Sequence, residues 1–103
     1  MRYEIIFDPE AVKDIQNLRA DIRATLRDGM ETYLRYEPTK ISKSRIKRLR
    51  DFLRPQYRLR IDDMRVFYDV VEGVVEVLAV VQKSEAEAWL EKEGEIDEEG
   101  NDE

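Results

Sequence analysis

Residues 57–81 read YRLRIDDMRVFYDVVEGVVEVLAVV, and the fold turns on how they are parsed. YRLRI alternates as a half-buried strand does, with Tyr57, Leu59 and Ile61 on one face and Arg58 and Arg60 on the other. MRVFYDVV follows after only Asp62-Asp63, so a two-residue hairpin is predicted, although Asp-Asp is a weaker turn signal than Asp-Gly. In that register Ile61 faces Met64, Arg60 faces Arg65 and Arg58 faces Phe67. Glu72-Gly73 then joins a third strand, giving an antiparallel meander near 57–61, 64–71 and 74–81. One face collects Tyr57, Leu59, Ile61, Val66, Tyr68, Val70, Val75, Val77, Ala79 and Val81, and must receive the helices. The other carries Arg58, Arg60, Arg65, Phe67, Asp69, Glu76, Leu78 and Val80. Like charges directly opposite across a ladder are unfavourable. A face with three guanidinium groups is therefore either well solvated or built for an anion, and RNA phosphate is the leading candidate.

Working outward, RYEIIF at residues 2–7 is short and β-rich. Asp8 suits a helix N-cap and Pro9 the first helical position. Val12, Ile15, Leu18, Ile22 and Leu26 recur at helical spacing, with a break in phase near Arg19-Ala20-Asp21. This predicts an antiparallel pair of helices over 9–18 and 20–36, with Gly29 at a close crossing of the two. Pro38 ends the second helix. Residues 39–55 lack a clean period and read as a basic loop with room for one short strand or helical turn. Beyond the meander, Ser84 and Glu87 have the spacing of a capping box for a short helix, SEAEAWLEKE, that offers Trp89 and Leu90 for packing. After Gly94, EIDEEGNDE holds one apolar residue and is expected to be disordered. The expectation is one small α+β domain over residues 1–92 with an acidic tail over 93–103.

The composition narrows the chemistry. The chain has no cysteine and no histidine, which removes thiolate catalysis, disulfides and the commonest neutral-pH base and metal ligand. Lys, Arg, Tyr, Asp and Glu are left, and neither a metal nor a cofactor is expected. No apolar stretch is long enough for a bilayer and the N-terminus lacks a signal-peptide core, so a cytoplasmic protein is expected. The net charge of −6 hides an asymmetry. Residues 40–65 hold ten basic residues against three acids, whereas residues 91–103 hold eight acids and one lysine. Such a distribution points to a polyanion partner. The plain reading of the acidic tail is a solvated end; the sharper one is that it folds back over the basic face and lowers affinity for RNA.

The order strand, two helices, basic loop, meander and C-terminal helix resembles the RelE/ParE toxin superfamily of bacterial type II toxin–antitoxin systems, in its RelE-like branch. The residues that carry the resemblance are YEIIFDPEAVKDIQNL, DIRATLRDGMETYL and above all KRLRDFLRPQYRLRIDDMRVFYDVVEGVVEVLAVVQKSEAEAWL, together covering about residues 2–91. The resemblance implies a RelE-like microbial RNase fold. It also implies a ribosome-dependent, metal-independent mRNA endoribonuclease whose basic sheet face orients the scissile phosphate while the 2′-hydroxyl attacks in line. Carried onto this chain, Arg58 and Arg60 stand where the family often places paired lysines, and Arg65 on its phosphate-stabilising arginine. Lys83 stands on or beside a basic residue closing the last strand, and Trp89 on a base-stacking tyrosine. Lys43, Arg45, Lys47, Arg48, Arg50, Arg54 and Phe67 are further candidates for contact with RNA. The implied partners are the ribosome, mRNA and a cognate antitoxin that folds as it binds.

The chain departs from that pattern. An arginine stays protonated near neutral pH, so these arginines are poor bases but good bidentate phosphate clamps. Tryptophan can stack but cannot exchange a proton. The plain reading of the arginines is a solvated face paired to Asp62, Asp63 or Asp69, that of Phe67 is packing, and that of Trp89 is helix packing. Two other functions stay open: a ParE-like poison of DNA gyrase, which needs no catalytic residue, and an inactive toxin-fold binding module. The lack of histidine and of a C-terminal tyrosine favours the first of these; three convergent arginines favour the nuclease.

Overall fold

The computed structural model describes residues 1–98. Its elements in chain order are β1 (Glu4–Phe7), α1 (Pro9–Gln16), α2 (Ala20–Leu34), β2 (Ile46–Arg48), β3 (Phe52–Arg54), β4 (Tyr57–Ile61), β5 (Met64–Val71), β6 (Val74–Gln82), α3 (Lys83–Glu93) and β7 (Glu95–Ile96). Five strands form one sheet in the order β1-β6-β5-β4-β2, and β3 pairs with β7 in a separate two-stranded ribbon. β1 runs parallel to β6, whereas β6, β5, β4 and β2 are mutually antiparallel.

The hairpin register is the predicted one, with Ile61 opposite Met64, Arg60 opposite Arg65 and Arg58 opposite Phe67. Asp62 takes a φ of 51°, a left-handed conformation that Asp tolerates better than most residues. The next turn places Glu72 and Gly73 at φ 45° and 80°, the geometry that matches the right-handed twist of a tight hairpin. Leu26 and Leu34 from α2 and Ala11 from α1 then bury against Leu59, Val66, Tyr68, Val75 and Val77. Tyr68 is fully buried and donates its hydroxyl proton to the Pro38 carbonyl at 2.6 Å, which ties down the chain leaving α2. Burial pushes that phenol far above its ordinary pKa, so it remains a neutral donor.

Several expectations are corrected. The helices stop at Gln16 and Leu34, short of 18 and 36. The stretch 39–55 holds two short strands, β2 and β3. Asp8 is the N-cap of α1, as expected, although without a side-chain hydrogen bond; α3 begins at Lys83 with Gln82 as N-cap, two residues too early for the Ser84–Glu87 capping box. Gly29 marks a helix–sheet approach rather than a helix–helix crossing, since a Cβ there would lie 2.5 Å from Ile61 Cδ1. The acidic tail is engaged further than expected. Glu95 and Ile96 pair with β3, and the Asp97 N–H donates to the Asp51 carbonyl at 2.9 Å. Residues 99–103, the rest of that segment, lie outside the described residues.

The largest correction is in β6. Phe67 pairs with Ala79 but Tyr68 pairs with Val77, so Leu78 is an extra residue in a β-bulge. The bulge reverses the facing of everything after it. Val80 joins the helix-side core opposite Val66, while Ala79 and Val81 turn to the arginine face beside Phe67 and Arg65. β1 ends opposite Val77, so the Val80 N–H on the sheet edge would lack a strand partner. The Asp14 carboxylate on α1 accepts it at 2.9 Å.

Candidate functional site

The open face of the sheet is built in rows across the strands. Lys47 of β2 lies opposite Arg58 of β4, which lies opposite Phe67 of β5. The next row places Arg60 opposite Arg65. Because side chains alternate, Lys47, Arg58, Arg60 and Arg65 all leave the same face. None of these four has a carboxylate within ion-pair distance among the described residues, whose salt bridges lie elsewhere.

The three arginines differ in what holds them. Arg65 is only 7% exposed, and one terminal nitrogen donates to the carbonyls of Asp62 and Met64, each at 3.0 Å. These bonds lock its orientation while leaving other guanidinium donors uncommitted. Arg58 is half-buried, and its Nε is a buried donor with no partner. Arg60 is exposed. Burial first, and then neighbouring Arg60, push the Arg58 guanidinium below its ordinary pKa. Burial, then Arg58 and Arg60, do the same to Arg65, against a weaker pull from Asp63. The cluster is thus a concentration of positive charge, desolvated at Arg58 and Arg65 and open to solvent at Arg60. An oxyanion placed among these groups would lower its energy.

The other candidates separate. Arg54 turns away to a cluster of acids, with its guanidinium 3.4 Å from Asp8, 3.5 Å from Asp69 and 3.1 Å from Glu76. Arg48 donates to the Gln56 carbonyl at 2.8 Å and lies over the Tyr57 ring. Arg45 donates to the Arg60 carbonyl at 3.1 Å and lies over Tyr33. These three fasten the basic segment to the body. Lys43, Lys47 and Arg50 are exposed, and of these only Lys47 shares a row with the arginines. Lys83 is exposed at the start of α3, beside the β4–β5 turn, where its own N–H donates to the Asp63 carbonyl at 2.7 Å. Phe67 is fully buried: Trp89 of α3 stacks on it with ring centres 4.8 Å apart and planes within 6°. Trp89 also donates from its indole N–H to Glu10 at 3.3 Å.

The acid cluster around Arg54 escaped the sequence reading, although Asp69 and Glu76 were already assigned to the arginine face. Asp69 is held by the Gln56 N–H at 2.7 Å, and Gln56 in turn accepts from the Val70 N–H at 2.9 Å. Burial raises the Asp69 carboxyl, against that hydrogen bond and Arg54. Glu76 is raised first by a hydrogen bond shared with Asp8 and then by burial. Among the described residues no group of three or more potential ligands could hold a metal ion, and no helix is long and apolar enough to cross a membrane.

Fold and site together define a small α+β protein whose twisted sheet carries four cations on one face. The chain belongs to the ParE toxin family of type II toxin–antitoxin systems, whose family model matches residues 5–87. Among solved structures it is similar to the RelBE2 toxin–antitoxin complex of Mycobacterium tuberculosis, with a TM-score of 0.67 at 24% identity over 80% of this chain and 99% of that one. It is also similar to the archaeal RelE–RelB complex of Pyrococcus horikoshii, with a TM-score of 0.60 at 27% identity over 81% and 97%. The RelB–RelE complex of Methanococcus jannaschii gives 0.62 at 18% identity over 82% and 96%. No curated protein matches the sequence significantly. The expected RelE/ParE superfamily and α+β fold are therefore established, and the protein is a type II toxin.

Proposed function

We propose that this toxin cuts mRNA on the ribosome, as an endoribonuclease restrained by a cognate antitoxin. The observation that carries this reading is the set of four cations on one sheet face, without a carboxylate partner among the described residues and with a buried Arg58 Nε that has no partner among them either. A phosphodiester supplies the missing charge and acceptors. Arg65, fixed by the Asp62 and Met64 carbonyls, would stabilise the negative charge that develops on the phosphate as the 2′-hydroxyl attacks. Arg58 and Arg60 would hold the backbone in line, and Lys47 the flanking phosphate. None of these four is suited to accept the 2′-hydroxyl proton near neutrality. Orientation and charge stabilisation therefore supply the rate, the ribosome supplies the positioning, and solvent or RNA accepts the proton. Lys83, whose backbone is tied to the turn, would protonate the leaving oxygen.

A ParE-like gyrase poison is the second reading. It is favoured by the family model that matches and by a site without a proton acceptor. In either case the partner is an antitoxin. Ile6, Phe7 and Val12 are exposed beside the open edge of β1, an apolar surface suited to an amphipathic segment that folds on binding.

Primer extension on an mRNA translated with purified ribosomes, comparing the native chain with Arg65→Ala, tests the nuclease. Ribosome-dependent cuts that disappear in the variant are expected. An intact message with the native chain sinks the reading, and supercoiling by purified gyrase then decides whether the second one stands.

A further inference from the structure

β1 is the outermost strand on one side of the sheet, and among the described residues no strand pairs with its free edge. The ladder fixes which groups that edge offers. The N–H groups of Glu4 and Asp8 point inward, to the carbonyls of Gly73 and Val77, each at 2.9 Å. Alternate residues of a strand bond to opposite sides, so Ile6 also bonds inward, whereas Ile5 and Phe7 aim N–H and C=O outward. Tyr3, the next residue of the outward set, is taken. Its N–H donates to the Arg35 carbonyl at 2.7 Å, and its carbonyl accepts from the Arg35 guanidinium at 3.0 Å. Ile5 and Phe7, with Ile6 between them, are therefore left to pair. Natural edges are usually blunted by proline, lysine or a bulge, and β1 has none of these. Ile6 and Phe7 are instead 42% and 39% exposed.

α2 runs beside this edge in the opposite direction. Arg35 stands at Tyr3, while Arg23 and Arg27 line a groove with Phe7. Four residues of helix rise about 6 Å and two of strand about 6.7 Å, so the two elements keep step. Glu31 then falls level with Ile5, and the two line the cleft between α2 and β1 together with Arg27. Arg27 and Glu31 are both exposed. Arg27 lies 3.9 Å from Asp28, and Glu31 is bonded to Arg35. An acid beside Ile5 and a base beside Phe7 thus flank an edge whose centre is Ile6.

We infer that this edge pairs with a second copy of the chain, antiparallel about a two-fold axis at Ile6. Ile5 of one protomer then exchanges both backbone hydrogen bonds with the partner's Phe7, and Phe7 does the same with the partner's Ile5. Between them Ile6 meets its own counterpart on the face away from α2. Because the axis exchanges residues 5 and 7, it exchanges what stands beside them. Glu31 comes opposite the partner's Arg27, and Arg27 opposite the partner's Glu31. An isologous contact needs a surface complementary to itself, and here hydrogen bonds, apolar contact and charge all call for the same axis. At the ends Glu4 comes opposite the partner's Asp8, an acid that Arg54 already holds at 3.4 Å. The two five-stranded sheets become one, with both cationic faces on the same side. The pairing uses the surface suited to an antitoxin, so it belongs to the toxin that has lost its antitoxin. It holds whether that toxin cuts RNA or poisons gyrase.

Sedimentation velocity of the purified, antitoxin-free chain over a concentration series should show a monomer passing into a dimer. Amide hydrogen exchange on the same samples needs no variant. As dimer accumulates, exchange at the Ile5 and Phe7 N–H groups should slow by about tenfold or more, while Ile6, bonded inward, should not change. Arg27→Glu places acid opposite acid across the axis, and Glu31→Arg places base opposite base. Each variant alone should dimerise about tenfold or more weakly than the native chain. Mixed one to one they restore both pairs, and the mixed dimer should recover the native affinity. A native chain that stays monomeric, or that dimerises without change at Ile5 and Phe7, overturns the pairing and leaves the edge to the antitoxin. A mixture no tighter than its parts, with both variants folded like the native chain by circular dichroism, overturns the axis at Ile6. Neither failure touches the nuclease or gyrase readings, which primer extension and supercoiling decide by themselves.

Discussion

At the turn end of the open sheet face, Lys47, Arg58, Arg60 and Arg65 stand together with no carboxylate of the described residues in ion-pair contact with them. Further along the same face, Asp8, Asp69 and Glu76 gather round one guanidinium, that of Arg54. Both ends concentrate charge of one sign. At the acidic end the charges have partners: Arg54 contacts all three carboxylates, and Asp69 accepts a backbone N–H as well. At the basic end a buried donor has none. A paired cluster is accounted for by the fold it fastens. Desolvated like charges with an unmet hydrogen bond raise the energy of the folded chain, and their natural use is a ligand that the chain itself lacks.

The sharpest way to break the comparison is to cross activity with stability at both ends. Arg65→Ala should lower ribosome-dependent cleavage by about a hundredfold or more, in the range seen when a group stabilising transition-state charge is removed. Glu76→Gln should leave the cleavage rate per folded molecule unchanged in the same primer-extension assay. Equal losses would mean that the two ends are one site.

Next in size is the loss of Arg54. Its removal leaves three carboxylates together, and because Arg54 is 42% exposed the cost is discounted to about 1–2 kcal/mol. Thermal unfolding of Arg54→Ala should show a melting point several degrees lower, with RNA affinity nearly unchanged. The converse holds at the basic end. Arg58→Met removes an unpartnered buried donor and a like charge, and should stabilise the free protein by about 1 kcal/mol while weakening RNA binding. A destabilised Arg58→Met would show that its guanidinium is already satisfied.

The smallest expected effect is on pH. Asp14, Asp69 and Glu76 have carboxyls raised in the folded protein, chiefly by burial for the first two and by the Asp8 hydrogen bond for Glu76. In the window above the ordinary carboxylate values the folded state then binds more protons than the unfolded state. Stability should therefore rise as pH falls from neutral into that window, and be lost again as these groups ionise on the way back up. Asp21 and Glu31 are lowered by Arg19 and Arg35, so their contributions fade only at more acid pH. Urea unfolding across this range checks the sign, and Arg54→Ala should steepen it.

The hairpin at the centre of the fold was legible because alternation and turn length together admit only one register for Arg60 and Arg65. Leu78 was not. In an all-apolar run such as VVEVLAVV every residue suits either face, so nothing local marks the extra one, and Ala79, Val80 and Val81 were assigned to the wrong sides. The same limit applies to the basic segment. Lys47 and Arg48 are adjacent, and only the pairing of β2 with β4 puts Lys47 beside Arg58 and sends Arg48 to Tyr57. Composition could say that the segment was cationic. It could not say which cations were already spent on carbonyls and rings, because those acceptors, at Gln56, Tyr33 and Arg60, lie on other elements.

The parallel pairing of β1 with β6 bears on how the chain comes to be a toxin at all. Glu4 meets Val74 and Phe7 meets Val77, so β1 waits for a partner roughly seventy residues behind it. The hairpin of β4 and β5 is local and can form early. The edge of β6 and the Asp14 bond to Val80 must come later, after β6 has emerged. A nascent copy whose β6 is still in the tunnel therefore lacks the partner of β1, so the β1 edge is the last part of the sheet to be finished.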